Sequence, residues 1–137
     1  MKIGELARRS GLTATTIRYY ERIGLLPRVD RDRSRQRDYD ASILVWIEFL
    51  GRLKTTGMPL REMLLYARLR QEGDATGPQR RRLLEAHRER VRAHVDALTG
   101  CLLVLDAKIG GYAESEERMI AHDPDRKPAG ARKARAV

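Results

Sequence analysis

Apolar residues near the start of the chain recur with the spacing of two short helices. Ile3 and Leu6 lie on one helical face, and Gly11 follows them as a natural C-terminal cap. A second helix is predicted to begin after Thr13, whose hydroxyl suits the N-cap position, and to end at Gly24. Two short helices joined by a tight glycine-containing turn form a helix-turn-helix unit.

The next stretch predicts a break and then two further helices. Seven charged residues fall between Arg31 and Asp40 without a helical stripe, which indicates a loop or a short two-stranded ribbon. Asp40 can cap a third helix that ends at Gly57, and Pro59 opens a fourth helix that ends before Gly73. The first half of the chain is therefore predicted to be helical, with one small β element.

A much longer helix is predicted from Thr76 to about Tyr112. From Val91 onward its apolar residues are spaced alternately four and three apart, which is typical of a coiled-coil seam. At 1.5 Å per residue this helix is about 50 Å long, and no other predicted helix remains to cover it. We therefore expect a homodimer, and its dimerisation residues are Leu84, Val91, Val95, Leu98, Leu102, Leu105 and Ile109.

The predicted fold is all-α with a small β wing: an N-terminal winged helix-turn-helix followed by a long coiled-coil dimerisation helix. The first domain is expected over residues 1–73 and the dimerisation helix over residues 74–112. Residues 113–137 follow a Gly-Gly pair and are short and mixed, and from Pro124 onward they are rich in Pro, Ala, Arg and Lys without periodicity. We expect this C-terminal segment to be largely disordered.

Charge is distributed unevenly along the chain. Residues 1–70 hold 15 Lys/Arg against 8 Asp/Glu, residues 71–121 hold 8 against 9, and residues 122–137 hold 5 against 2. A basic half joined to a neutral half favours an anionic polymer such as nucleic acid as the partner of the first half. A solvated arginine-rich surface is the alternative interpretation of the charge alone.

Several classes of protein are disfavoured by the sequence. The single cysteine, Cys101, allows no intrachain disulfide, no apolar run approaches about 20 residues, and the N-terminus lacks a signal-peptide pattern. We therefore expect a cytoplasmic protein without a membrane partner. A Gly-rich phosphate loop, paired catalytic carboxylates and a nucleophile constellation are all missing from the sequence, so we do not expect an enzyme.

The second predicted helix carries an Arg-Tyr-Tyr run that suits a DNA surface. In helix-turn-helix units this helix enters the major groove, with its N-terminal part at the base edges. Thr13, Thr16 and Arg18 can supply hydroxyls and a guanidinium fork to phosphates or guanine. Tyr19 can pack its ring on a sugar, whereas Tyr20 is expected in the core; the alternative is that both tyrosines are core residues.

The run "IGELARRSGLTATTIRYYERIGLL" resembles the N-terminus of MerR-type transcription regulators. The resemblance continues through "RSRQRDYD" and "LKTTGMPLREM" to the long helix, over roughly residues 1–112. It implies a winged-helix dimer held by an antiparallel coiled coil. Such regulators bind a promoter whose spacer is too long, and an effector makes them distort that DNA so that bound RNA polymerase can start.

The resemblance also assigns contact residues. It implies that Arg18 and Tyr19 contact DNA and that Arg37 and Tyr39 are wing contacts to phosphate. The wing departs from the family pattern, because Ser34-Arg35 stands where members usually have an Asn-Gly-like turn. We therefore expect a less tight and more cationic hairpin tip.

The signal that such a regulator senses is less evident from the sequence. Metal-sensing relatives place several cysteines near the end of the long helix, whereas this chain has only Cys101, so no metal or cofactor is expected. The subgroup that responds to aldehydes or nitrosative stress is the most similar, but Arg52 replaces its usual cysteine. His87, His94 and Cys101 are each seven residues apart and are interpreted mainly as residues that flank the seam. Two roles stay open for Trp46, Phe49 and Tyr66: core packing, which is favoured, and the lining of a small-molecule effector site between the Trp46–Tyr66 helices and the partner's coiled coil.

A second function class stays open from the sequence alone. A non-specific nucleoid-associated or architectural protein would bind DNA through charge, and the basic tail "RKPAGARKARA" favours that alternative. Selectivity for an inverted repeat distinguishes the two classes.

Overall fold

A computed structural model of the chain describes residues 1–28, 33 and 38–122. Within these ranges the chain forms five α-helices and no β-strand. The helices are α1 (Ile3–Ser10), α2 (Ala14–Ile23), α3 (Ser42–Thr55), α4 (Leu60–Gln71) and α5 (Gly77–His122). The predicted helical architecture is confirmed, whereas most of the predicted β wing lies outside the described residues.

The chain divides into two compact units, Met1–Arg92 and a second that begins at Ala93. The first unit contains α1 to α4 and the first turns of α5, and the rest of α5 belongs to the second. The domain boundaries expected after residues 73 and 112 stay predictions. Across the described ranges, no helix is both long enough and apolar enough to cross a membrane.

A glycine turn and a threonine cap set the geometry between α1 and α2. Gly11 adopts a left-handed φ of 77°, and its N–H donates back to the last turn of α1. Thr13 Oγ1 accepts a hydrogen bond from the backbone N–H of Thr16 at 3.1 Å and thereby caps α2. Leu6 on α1 and Ile17 on α2 are fully buried in the same core. The predicted helix-turn-helix is confirmed.

An aromatic cluster joins α3 to α4 and to the turn after α2. Trp46 stacks on Tyr66 with ring centroids 5.7 Å apart, and Phe49 meets both rings edge-on. The indole N–H of Trp46 donates to the carbonyl of Leu25 at 2.9 Å, which satisfies this buried donor. The guanidinium of Arg70 lies over the Trp46 ring, 4.4 Å from its centroid. These contacts fix α3 and α4 against the helix-turn-helix.

Polar contacts attach the first turns of α5 to α3 and α4. His87 Nε2 lies 2.7 Å from Thr56 Oγ1, and the Thr56 hydroxyl donates to the carbonyl of Arg52 at 2.8 Å. The other ring nitrogen of His87, Nδ1, is buried with no hydrogen-bond partner among the described groups. Arg90 forms an ion pair with Glu62 in the first turn of α4.

Helix α5 continues past the predicted end at Tyr112 to His122. The Gly110-Gly111 pair favours an end because each glycine costs about 1 kcal/mol in a helix relative to alanine. Residues 113–122 offset that cost, since they are mostly Ala, Glu, Arg and Met, which are strong helix formers. The expectation of irregular structure directly after Tyr112 is therefore wrong for residues 113–122, and residues 123–137 lie outside the described ranges.

Tyr39 lies in the core, contrary to the prediction that it contacts DNA phosphate. Its side chain is 2% exposed, and its hydroxyl donates to Glu21 Oε1 on α2. The Tyr39 backbone N–H donates to the carbonyl of Met1 at 2.7 Å, and the Met1 amino group donates to the Tyr39 carbonyl at 2.7 Å. The same amino group donates to Asp38 Oδ1 at 3.0 Å and lowers the pKa of that carboxyl through the hydrogen bond and its charge. The structure thus gives Tyr39 a packing role.

We expect Tyr39→Phe to lower the free energy of unfolding by about 1–2 kcal/mol, because it removes a hydrogen bond to a carboxylate and keeps the ring. Tyr19→Phe is the matched control, since Tyr19 is 42% exposed and its hydroxyl should contribute less than about 0.5 kcal/mol. Urea unfolding at one fixed protein concentration measures both variants. Unchanged stability of Tyr39→Phe would contradict the packing role.

Candidate nucleic-acid interface

Helix α2 separates a buried side from an exposed side. Ile17 is fully buried, and Tyr20 packs against the core. Arg18 is exposed, and Tyr19 is 42% exposed, so these two predicted contact residues reach solvent. The helical period explains the split, because successive side chains are rotated by about 100° around the axis. The predicted core position of Tyr20 is confirmed.

Arg22 adds a second cation to the exposed side of α2. Its guanidinium lies over the Tyr19 ring, 5.5 Å from the centroid, which restricts the ring through a cation–π contact. The Tyr19 and Tyr20 rings are tilted against each other with centroids 6.2 Å apart. The exposed side therefore presents a flat ring supported on two sides, together with two guanidinium groups. This combination suits anionic phosphates and sugar faces.

The two threonines at the start of α2 differ in their environment. The hydroxyl of Thr13 accepts from the Thr16 backbone N–H and donates to Thr16 Oγ1 at 2.9 Å. These two hydrogen bonds account for Thr13 as the N-cap residue of α2. Thr16 is half-buried. The uncompensated N–H groups and the helix dipole make this end of α2 favourable for an anion. A direct contact of either threonine with DNA stays a prediction.

The region after α2 contributes further cations to the first unit. Arg28 and Arg33 are exposed. Arg37 and the Ser34-Arg35 turn lie outside the described residues, so the predicted wing contact of Arg37 stays a prediction. The hydrogen bond between Tyr39 and Glu21 escaped prediction, because a tyrosine between two aspartates in a charged run carries no sequence signal of burial.

The second unit exposes a stripe of apolar residues on α5. Leu84 and Val91, which belong to the first unit, are partly buried, and Leu84 packs against its core. The other predicted dimerisation residues are 52% to 64% exposed: Val95, Leu98, Leu102, Leu105 and Ile109. Apolar surface left in water costs about 25 cal/mol per Å², and contiguous exposed patches of this kind mark interaction sites.

Other exposed residues of the second unit do not follow that stripe. Leu103 and Val104 are 66% and 70% exposed, and neither belongs to the predicted seam. Cys101 and His94 are exposed as well, whereas His87 is buried in the first unit. The described residues contain no group of three or more His, Cys, Asp or Glu side chains that could hold a metal ion.

Comparison with known proteins places this architecture in a family. Residues 2–39 match the family described as MerR family regulatory protein. The HTH-type transcriptional regulator AdhR of Bacillus subtilis (strain 168) is 42% identical over 91 residues, which are 66% of this chain and 65% of AdhR. The chain thus spans slightly less than two thirds of the length of that relative.

Solved structures extend the similarity beyond α2. A Listeria monocytogenes protein described as a MerR family transcriptional regulator is 33% identical, with a TM-score of 0.82 over 93% of this chain and 99% of that one. HiNmlR, a MerR family regulator lacking the sensor domain and bound to promoter DNA, is 31% identical, with a TM-score of 0.73 over 85% of this chain and 92% of that one. The chain therefore belongs to the MerR family.

Proposed function

We propose that the protein is a sequence-specific transcription regulator that binds a promoter inverted repeat as a homodimer. The observation that carries this proposal is the exposed side of α2, where Arg18, Tyr19 and Arg22 project while Ile17 anchors the helix in the core. Relatives named as transcriptional regulators support it, as does HiNmlR, which was solved on promoter DNA.

In this proposal α2 is the recognition helix and enters the major groove. Arg18 binds a phosphate or the O6/N7 edge of a guanine, and Thr16 is close enough to the helix start to reach the backbone. The Tyr19 ring packs on a sugar, with Arg22 behind it. Thr13 acts by capping the helix and directing its first turn at the DNA.

The wing adds contacts that carry little sequence information. Arg37 binds phosphate, and Arg28 and Arg33 strengthen the electrostatic attraction. Residues 1–73 form the DNA-binding domain in this account. Tyr39 supports it from the core instead of contacting DNA.

The apolar stripe of α5 is the dimer interface, formed with the same stripe of a second copy over residues 74–112. An exposed stripe that follows the coiled-coil period buries its surface when two such helices pair. A two-fold axis then relates the two α2 helices, and this symmetry matches an inverted repeat.

Regulation follows from the fixed spacing of the two recognition helices. A dimer that holds both half-sites can distort a promoter whose spacer is too long, and RNA polymerase at that promoter then starts or is held back.

A small-molecule effector acts where the partner's coiled coil meets α3 and α4, with Trp46, Phe49 and Tyr66 as the candidate lining. Trp46 and Tyr66 are buried, so their role in this site is to form its wall.

We expect Arg18→Ala to weaken binding to the promoter fragment by about 1–3 kcal/mol, because one bidentate contact is lost. Arg68→Ala is the control, since Arg68 is exposed on α4 and paired only with Glu72, at 3.9 Å, among the ion pairs of the described residues. Fluorescence anisotropy with specific and scrambled DNA measures both variants. If both variants bind the specific DNA with equal affinity, Arg18 does not contact the DNA.

We expect Leu98→Asp to convert the dimer to a monomer in light scattering, because it buries a charge in the middle of the seam. Leu103→Asp is the matched control: Leu103 is 66% exposed and lies off the seam, so this variant should stay dimeric. A dimer that survives Leu98→Asp, or one that is lost in both variants, would mean that the interface lies elsewhere.

A further inference from the structure

A groove runs between α4 and the first turns of α5, within the first unit. Its volume is about 440 Å³, and its apolar lining consists of Leu65, Leu69 and Leu83. Leu69 is buried, whereas Leu65 and Leu83 are half-buried. Leu83 packs against the main core, but Leu65 and Leu69 lie outside the core cluster as far as the chain is described. This side of α4 therefore carries apolar surface that the main core does not use.

The polar lining of this groove is basic. Arg68 lines it from α4, and Gln79 and Arg82 line it from α5. Arg82 is exposed and forms no ion pair within the described part of the chain. Arg68 pairs with Glu72 at 3.9 Å, and both side chains are more than half exposed, so this pair contributes little. An occupant that combines apolar side chains with carboxylates would therefore complement the groove.

The groove lies on the side of α5 that faces away from the predicted dimerisation residues. With Leu84 and Val91 at position d of a heptad, Arg82 and Leu83 take the b and c positions and Gln79 takes an f position. Positions b, c and f form the outer side of a coiled coil, whereas a and d form its seam. Pairing of α5 through the seam therefore leaves the groove open to another partner.

We propose that this groove binds an acidic amphipathic helix of RNA polymerase. The apolar face of such a helix packs on the three leucines, and carboxylates at its edges pair with Arg68 and Arg82. DNA phosphate would pair with the arginines but would leave the leucines in water, so the mixed lining favours a protein segment. The inference rests on the proposed function, which brings polymerase to the same promoter, and it names the surface of this chain that contacts polymerase.

Proximity on the promoter is what favours polymerase as the source of this helix. The groove and α2 belong to the same compact unit. A regulator bound between polymerase elements is held beside polymerase, and the shared DNA raises the effective concentration of each protein for the other. A groove of this size admits only a few side chains and on its own supports a weak, transient contact. The shared promoter makes such a contact sufficient.

Charge reversal in the groove tests this docking. Biolayer interferometry measures the affinity of purified bacterial RNA polymerase holoenzyme for a promoter fragment saturated with the regulator. Arg82→Glu should raise the dissociation constant by about fivefold or more, because repulsion replaces attraction. Arg52→Glu is the matched control, since the Arg52 side chain is 79% exposed on α3, outside the groove lining, and the change in net charge is the same. This control should alter the constant by less than about twofold. Equal effects of the two reversals would contradict the docking.

Promoter binding by each variant alone separates this docking from the proposed function. A wild-type chain that shows no preference for the promoter over scrambled DNA overturns both. If the wild type binds the promoter selectively and Arg82→Glu binds polymerase as tightly as the wild type does, the docking alone fails and the regulator stands. Weaker promoter binding by Arg82→Glu would assign Arg82 to the DNA and would also overturn the docking.

Photo-crosslinking identifies what occupies the groove. In the promoter complex, p-benzoylphenylalanine placed at Gln79 should crosslink to an acidic helical segment of a polymerase subunit, which mass spectrometry of the crosslinked peptides identifies. The same group at Val45, which is 72% exposed on α3 and outside the groove lining, should not crosslink to that segment. A crosslink from position 79 to DNA, to a second copy of the regulator or to a basic segment of polymerase, or no crosslink at all, would overturn the proposal.

Discussion

Burial of Leu6 and Ile17 determines how α2 is presented to its surroundings. Each fully buried aliphatic side chain contributes about 1.5–3 kcal/mol, so rotating α2 away from α1 would cost most of that gain at both positions. Because Ile17 points into the core, the turn of the helix directs Arg18 and Tyr19 toward solvent. The Gly11 turn and the Thr13 cap fix where the helix begins, and hence which backbone N–H groups point outward.

The first turns of α5 are coupled to the rest of the first unit by polar contacts as well as by packing. His87 reaches the end of α3 through Thr56, and Arg90 reaches the start of α4 through Glu62. Helix α5 therefore contacts both ends of the turn between α3 and α4, at Thr56 before the turn and at Glu62 after it. The aromatic cluster around Trp46 joins the same two helices, and its hydrogen bond to the carbonyl of Leu25 connects them to the turn after α2.

The features that the sequence predicted well depend on local chemistry. The α1–α2 unit follows from short-range periodicity and from glycine and threonine at its turn, and the α5 stripe follows from a sustained four-three spacing. The burial of Tyr39 has no local sequence signal, because its partner, Glu21, is 18 residues away along the chain. The Gly110-Gly111 pair predicts too early an end for α5, because the helix formers after it offset the cost of the two glycines. The buried bond between His87 and Thr56 also joins distant segments, so periodicity placed His87 merely beside the seam.

Promoter recognition by a two-fold symmetric dimer is most directly tested by a nuclease footprint. The full chain would be footprinted on the DNA upstream of its own gene and of neighbouring genes, at two salt concentrations. A two-fold symmetric, sequence-specific dimer should protect an inverted repeat between polymerase elements with a long spacer, and protection of that repeat should persist at the higher salt. Uniform coverage that disappears at the higher salt, without a preferred site, would contradict it and would identify an architectural DNA-binding protein instead.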